Sequence, residues 1–155
     1  MRRPLIIRIL SGRDGQALVE TALTATLLIT LLLAAIDFGR AYYMLVELKG
    51  AAHAGALYGA QFPTDKQGMI SAAQSDATDF TMSSTPTADW GCECSDGTKA
   101  TAESGGSCTI TCTTTNEVYY VWVTTNTTYS PLVPWPGIPS SMTLTETVQM
   151  RAAVP

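Results

Sequence analysis

Charge is scarce in this chain of 155 residues: 14% are Asp, Glu, Lys or Arg against 46% hydrophobic, and 9 basic residues facing 13 acidic ones leave a formal net charge of −4. Beyond the first few residues there is no basic run, so binding to nucleic acid has no electrostatic footing and is excluded. Histidine is nearly absent. The single one, His53, has no second His and no Asp or Glu at positions 49, 50, 56 or 57. That removes both the ligand set a metal site needs and the base an activated Ser or Thr needs, so His53 is expected to be a packed or surface side chain. Gly-rich phosphate loops of nucleotide-binding spacing and the HExxH zinc pattern are missing as well. The expectation is a non-enzymatic chain with no metal and no cofactor.

What the sequence does have is an apolar N-terminal run. Residues 21 to 36 carry no charge, and Ala17 to Ile36 is a 20-residue apolar stretch broken only by Glu20 and a few Thr. As a helix it spans about 30 Å, the hydrocarbon thickness of a bilayer. Arg2, Arg3, Arg8 and Arg13 precede it with only Asp14 opposing them, and the first cations after it are Arg40 and Lys49. This bias predicts a single pass with the N-terminus in the cytoplasm and everything after about residue 40 exported. A secretory signal peptide shares the basic leader and the apolar core. Its cleavage site is poor here, because the small residues Gly39 and Ala41 flank Arg40 and follow Asp37.

Glu20 is the anomaly in that run. A carboxylate one turn inside an apolar helix costs on the order of 2 to 3 kcal/mol and calls for a partner, yet no Lys, Arg or His lies within a helical turn of it. Cleavage after Gly15 would supply one: Gln16 becomes the N-terminus, and its free α-amine lies four residues before Glu20. Within one helix the two groups sit one above the other; within a bundle the amine of one subunit meets the carboxylate of its neighbour, favouring a neighbour at a defined register. Removing residues 1–15 deletes four Arg and one Asp, leaving 5 basic and 12 acidic residues and a formal charge of −7.

Gly15-Gln16-Ala17-Leu18-Val19-Glu20 followed by an apolar helix resembles the processing site of prepilins in the type IV filament superfamily. The continuation to Thr21-Ala22-Leu23, then Ile36-Asp37-Phe38-Gly39-Arg40, then an Ala/Gly-rich helix through Ala60, resembles more narrowly the TadE-like proteins of tight-adherence (Flp) pilus systems. The resemblance implies that an aspartyl prepilin peptidase cuts between Gly15 and Gln16 and that Glu20 is the pilin fifth residue, with an assembly role. It also implies a bacterial inner-membrane location, a periplasmic head that either stays at the membrane or enters the pilus, and other pilin-like subunits and the assembly platform as partners beside the bilayer. Thr21 stands where major pilins of this system usually have an aromatic residue, and the chain is far longer than they are. Both point to a minor subunit.

Between Asp37 and Phe62 there is no Pro, and Phe38, Ala41, Leu45, Leu48, Ala52 and Ala56 recur at three- and four-residue spacing, so the helix is predicted to run on until Pro63 ends it. Gln16 to Phe62 is 47 residues, or about 70 Å of helix. Ala51, Gly55 and Gly59 form a ladder of small residues that lets another backbone approach closely. Two occupants fit it: a second subunit, which would make these three an assembly face with Glu20, or the chain's own globular part.

Residues 63–155 are expected to form the exported head, after the leader 1–15 and the transmembrane and spine helix 16–62. Asp65 to Met82 reads as an amphipathic helix with Met69, Ala73, Ala77 and Phe80 on one face. Ser107–Thr115, Glu117–Thr128 and Met142–Arg151 are rich in β-branched and aromatic residues, predicting three antiparallel strands. The last alternates Met142, Leu144, Val148 and Met150 with polar residues, Glu146 falling on the apolar side; Val118 to Val123, apolar on both faces, reads as central. The fold class is α+β. Pro131, Pro134, Pro136 and Pro139 make the intervening segment an extended, stiff loop whose Trp135 and Ile138 either dock under the sheet or form an interaction surface. Trp90 and Trp122 are expected in the core. The Tyr-x-Pro-Leu turn at Tyr129 and the Pro-aromatic-Pro-Gly loop that follows again resemble TadE-like proteins.

Cys92, Cys94, Cys108 and Cys112 cluster within 21 residues of the exported part. An even count in an oxidising compartment favours two disulfides over zinc, since C-x-C fits a structural zinc site badly, and over reactive thiols. Of three connectivities, a 92–94 bond would be strained, and Cys108 and Cys112 on one strand would lie about 13 Å apart. Two remain, each tying the Cys92/Cys94 arm to the Cys108/Cys112 segment.

The leading functional expectation is a minor pilin-like subunit in tight-adherence pilus assembly, processed by a prepilin peptidase. The alternative is a single-span anchored envelope protein whose disulfide-linked ectodomain binds a ligand or partner.

Overall fold

The structure is a computed structural model that describes residues 13–94, 96–101, 108, 110, 112 and 117–153. Its elements are α1 (Arg13–Gln61), α2 (Lys66–Asp76), β1 (Thr87–Glu93), β2 (Lys99–Thr101), β3 (Val118–Tyr129) and β4 (Met142–Arg151). This is the α+β arrangement the sequence predicts, a long apolar N-terminal helix and a small antiparallel sheet. The chain divides into two compact units, residues 1–39 and 40–155.

The described part of the first unit is helix. Leu18, Leu23, Leu27 and Leu28 are 60–72% exposed, and no part of the most apolar window is buried. A helix at the core of a soluble protein hides such residues and this one does not; it is long and apolar enough to cross a membrane. Its threonines fit that surround. Thr21, Thr24, Thr26 and Thr30 each donate the hydroxyl to the carbonyl four residues back, at 2.8–2.9 Å, which removes the cost of a bare donor in hydrocarbon.

In the second unit α1 carries a buried stripe of Leu48, Ala51, Ala52, Gly55, Ala56 and Gly59. The helix ends at Gln61 because Pro63 has no N–H to continue it; the N–H of Phe62 makes the last bond, to the carbonyl of Tyr58 at 3.0 Å. Asp65 then caps α2, its Oδ1 accepting from the N–H of Gly68 at 2.9 Å. α2 buries Met69 and Ala73 and stops at Asp76, short of the predicted Met82. The residues beyond it leave the helix to line the edge of β3. Ser83 N–H donates to the Asn126 carbonyl (3.1 Å), Ser84 and Asn126 exchange side-chain bonds, and Thr127 Oγ1 donates to the Thr81 carbonyl (2.8 Å).

The sheet is antiparallel with strand order β2-β1-β3-β4. β3 is central, Val123 lying between Ala88 of β1 and Val148 of β4. Val121, Val123, Thr125, Thr127 and Tyr129 are buried, and Val121 and Val123 face α1. With Ala56, Met69, Ala73 and Trp90 these two valines form the core. β4 alternates as its sequence predicts, Met142, Leu144, Glu146, Val148 and Met150 half-buried and the residues between them exposed.

Two expectations about the sheet need correction. The predicted strand 107–115 lies mostly outside the described residues, and Cys108, Ile110 and Cys112, which are described, are not in a strand. β1, for which the sequence predicts no strand, pairs with β3. Trp122 is not in the core: it sits half-buried on the opposite sheet face, its ring stacked on Tyr120 at 5.4 Å. Trp90 is in the core at 3% exposure.

Candidate processing and assembly site

Gly15 and Gln16 lie in the first turn of α1, both exposed, and a Cβ placed on Gly15 would meet nothing within 4 Å. Glu20 is exposed at the next turn, about 6 Å along the axis from Gln16. With Thr21, Thr24, Ala25 and Leu28 it lines a shallow recess on one helix face. Thr24 bonds to the carbonyl of Glu20 itself, and Thr21 to that of Ala17. Both hydroxyl protons are committed to the helix, so neither is directed at the carboxylate. The described residues therefore offer Glu20 no ion pair, and its charge faces outward beside an apolar stripe.

The small-residue ladder has a different fate. Ala51 is fully buried. A Cβ on Gly55 would come within 2.8 Å of the Met69 carbonyl oxygen and 3.1 Å of both Ala73 Cβ and Val123 Cγ1; one on Gly59 would collide with the Met69 side chain. The chain's own α2 and β3 occupy the ladder. Gly55 and Gly59 thus pack against Met69, Ala73 and Val123 of the same chain, the second of the two occupants the sequence allows. The ladder belongs to the second unit and Glu20 to the first.

The four cysteines form two disulfides, Cys92–Cys108 and Cys94–Cys112, with Cα separations of 6.1 and 5.6 Å. This is one of the two pairings that tie the Cys92/Cys94 arm to the later segment. The bonds hold residues 108 and 112 against the sheet without a strand there. Among the described residues no group of three or more His, Cys, Asp or Glu could hold a metal ion. His53 is exposed on α1.

The junction between α1 and α2 carries a bond that residue spacing does not predict. Tyr58 donates its hydroxyl to Asp65 Oδ2 at 2.8 Å while Gly68 N–H binds Oδ1. The Gly68 amide, and after it the Tyr58 hydroxyl, hold the Asp65 carboxyl below its ordinary range. On β3, burial raises the Tyr119 and Tyr120 hydroxyls above their usual values.

Against known proteins, a family model of TadE-like proteins matches residues 15–57, from the glycine before the apolar run to the middle of the buried stripe. No curated protein and no solved structure matches the chain.

Proposed function

From the TadE-like match over residues 15–57, we propose that this chain is a non-enzymatic, membrane-inserted minor pilin-like subunit acting in assembly of a tight-adherence pilus. The observation that carries the reading is the unburied apolar helix with a lone outward carboxylate at Glu20, one turn after Gly15-Gln16. A prepilin peptidase cuts between Gly15 and Gln16. The new α-amine then neutralises Glu20, in its own helix or across a contact with a neighbouring subunit, where low dielectric strengthens the pairing. The four leader arginines hold the N-terminus in the cytoplasm, and the disulfide-bonded head faces the periplasm. Lipid, the peptidase, other pilin-like subunits and the assembly platform are its partners. The test is to express the chain with and without the peptidase and weigh the product. Loss of residues 1–15 only when the enzyme is present supports the reading, and an identical unprocessed N-terminus in both sinks it.

A second reading draws support from the ladder being filled from within. The second unit has its own core and its own disulfides, as expected of an anchored ectodomain that binds an envelope partner and never enters a filament. In that case a head lacking the span retains its binding activity, whereas a pilin-like subunit loses function without its helix.

A further inference from the structure

The sheet face turned away from α1 differs in kind from the core face. Val121 and Val123 lie against α1, so Tyr120, Trp122 and Thr124 stand on the other side of β3. Thr143, Thr145, Thr147, Gln149 and Arg151 of β4 share that side and are exposed. An open cleft of about 330 Å³ lies here, lined by Glu93, Lys99, Val118, Tyr120, Gln149 and Arg151, a size at the lower end of small-ligand sites.

Strand register assembles it. Tyr120 is opposite Arg151 on β4 and Gly91 on β1, Trp122 is opposite Gln149, and Val118 is opposite Glu93, which in turn pairs with Lys99 of β2. Directly opposed residues present their side chains on one face, so all four strands contribute to one patch. Gly91 lets the Tyr120 ring lie across β1: a Cβ there would collide with the Ala100 carbonyl oxygen and come within 2.9 Å of the Tyr120 hydroxyl. That hydroxyl donates to the same carbonyl at 3.4 Å, and the ring stacks on half-buried Trp122 at 5.4 Å. Tyr120 is the floor of the cleft, and Trp122 is the more open end of an aromatic ridge.

Charge converges on this floor. Five basic residues follow position 15, in a chain of net charge −4. Arg40 lies over Tyr129 and Lys66 pairs with Asp89 at 2.7 Å, whereas Lys99 and Arg151 border the cleft from opposite sides. Lys99 Nζ stands 5.4 Å from the centre of the Tyr120 ring and 3.5 Å from the Glu93 carboxylate. Arg151 makes no ion pair among the described residues, so its guanidinium fork is available to a carboxylate. Glu93 on the far side selects further. It repels a dianion such as phosphate or sulfate and rewards a ligand that also carries hydrogen-bond donors. Beyond the cleft the face continues as hydroxyls, Thr124 and Thr147 bonded at 2.8 Å with Thr145 and Thr143 following along β4.

We infer that this face binds an acidic polysaccharide, seating one uronic acid residue in the cleft. Its carboxylate pairs with Arg151, its hydroxyls bond Glu93, Lys99 and Gln149, and the C–H face of its ring packs on the Tyr120–Trp122 ridge. Only a ligand that joins one negative charge to several hydroxyls and an apolar ring face uses every group present. A polymer fits better than a single sugar because the cleft is open and the hydroxyl strip leads out of it. The site belongs wholly to the second unit and does not depend on how the apolar helix is embedded or processed.

The experiment titrates the full chain, held in nanodiscs of uncharged phosphatidylcholine, with trigalacturonate and follows heat and Trp emission. Two comparison ligands separate the contributions: the trimethyl ester keeps the rings without the charge, and end-capped triglutamate keeps three carboxylates without the rings. Trigalacturonate should bind saturably, with the ester and the peptide each weaker by about tenfold or more. Arg151→Gln should weaken it by about tenfold and Lys99→Gln by less, both with an unchanged thermal midpoint because the two side chains are exposed. The emission change on binding should vanish in Trp122→Phe. Absence of saturable binding overturns the inference, and so does equal affinity for the ester. Equal affinity for triglutamate overturns it in favour of an acidic peptide. Binding of undiminished affinity in the Lys99→Gln, Arg151→Gln double variant lies elsewhere on the chain, on the leader arginines for example, and overturns it as well.

Discussion

Thr125 donates its hydroxyl to the carbonyl of Leu48 at 2.9 Å, and both residues are fully buried. The bond joins the central strand to the helix across 77 residues of sequence. Around it lie the valines and alanines of the α1–β3 packing, so it is a directional contact that helps fix the register between the two. Replacing Thr125 by Val keeps the shape and removes the donor. The Leu48 carbonyl retains its helical partner, so the expected cost is about 1 kcal/mol, read as a lowered denaturation midpoint with an unchanged slope.

Glycines along α1 should respond in graded fashion to Ala. Gly55→Ala drives a methyl against the Met69 backbone carbonyl, which cannot swing aside, and should cost about 1–3 kcal/mol. Gly59→Ala meets the flexible Met69 side chain and should cost less. At Gly50 the nearest atom is an Asp76 carboxylate oxygen at an ordinary 3.5 Å, so Gly50→Ala should stabilise the helix by up to about 1 kcal/mol. Chemical denaturation of the three variants checks the order, and equal losses would contradict the packing.

Opening one bridge by the paired change Cys94→Ser and Cys112→Ser should lower stability by about 3 kcal/mol, the value for a closed loop of this length. A thiol reductant should act in the same direction. A metal chelator should leave the midpoint where it was, since the sulfurs are bonded to each other.

The Asp65 cap makes the α1–α2 junction sensitive to acid. Its carboxyl titrates below the ordinary value of 3.8 when folded, so its contribution is fully present above that pH and disappears as pH falls through the depressed folded value. Asp65→Asn keeps a capping oxygen but has no charge to lose. The stability gap between wild type and Asp65→Asn should therefore close as pH drops below about 4, which thermal melts across a pH series would register.

Glu20→Ala removes a partner-seeking charge and no apolar area. Membrane insertion, followed by resistance to alkaline extraction, should be intact, because the change relieves a cost on the order of 2–3 kcal/mol. Incorporation with other pilin-like subunits should fall. Insertion lost while incorporation survives would contradict the role proposed for this carboxylate.

How far the sequence predicted the molecule depended on how local each signal was. The long helix could be read because nothing between Asp37 and Phe62 breaks it and Pro63 does, and β4 because its alternation is strict apart from Glu146. β1 has a period-two signal in Ala88, Trp90 and Cys92, but it is short and interrupted by Gly91, so it is weak beside those of β3 and β4. For the Ala51/Gly55/Gly59 ladder the sequence allows two occupants: small residues admit any close neighbour, and only the packing of α2 and β3 on α1 shows that Met69, Val121 and Val123 fill the space at Gly55 and Gly59. The Tyr58–Asp65 bond and the edge made by residues 81–84 are likewise products of tertiary folding.

The four threonine hydroxyls that turn back onto their own helix carry a further meaning for recognition within lipid. With those protons already spoken for, a neighbouring span would meet, between Ala17 and Ile36, an apolar surface whose one acidic side chain is Glu20. On the proposed reading, choice of companion inside the bilayer turns on Glu20, and a one-residue slip along the axis forfeits its pairing.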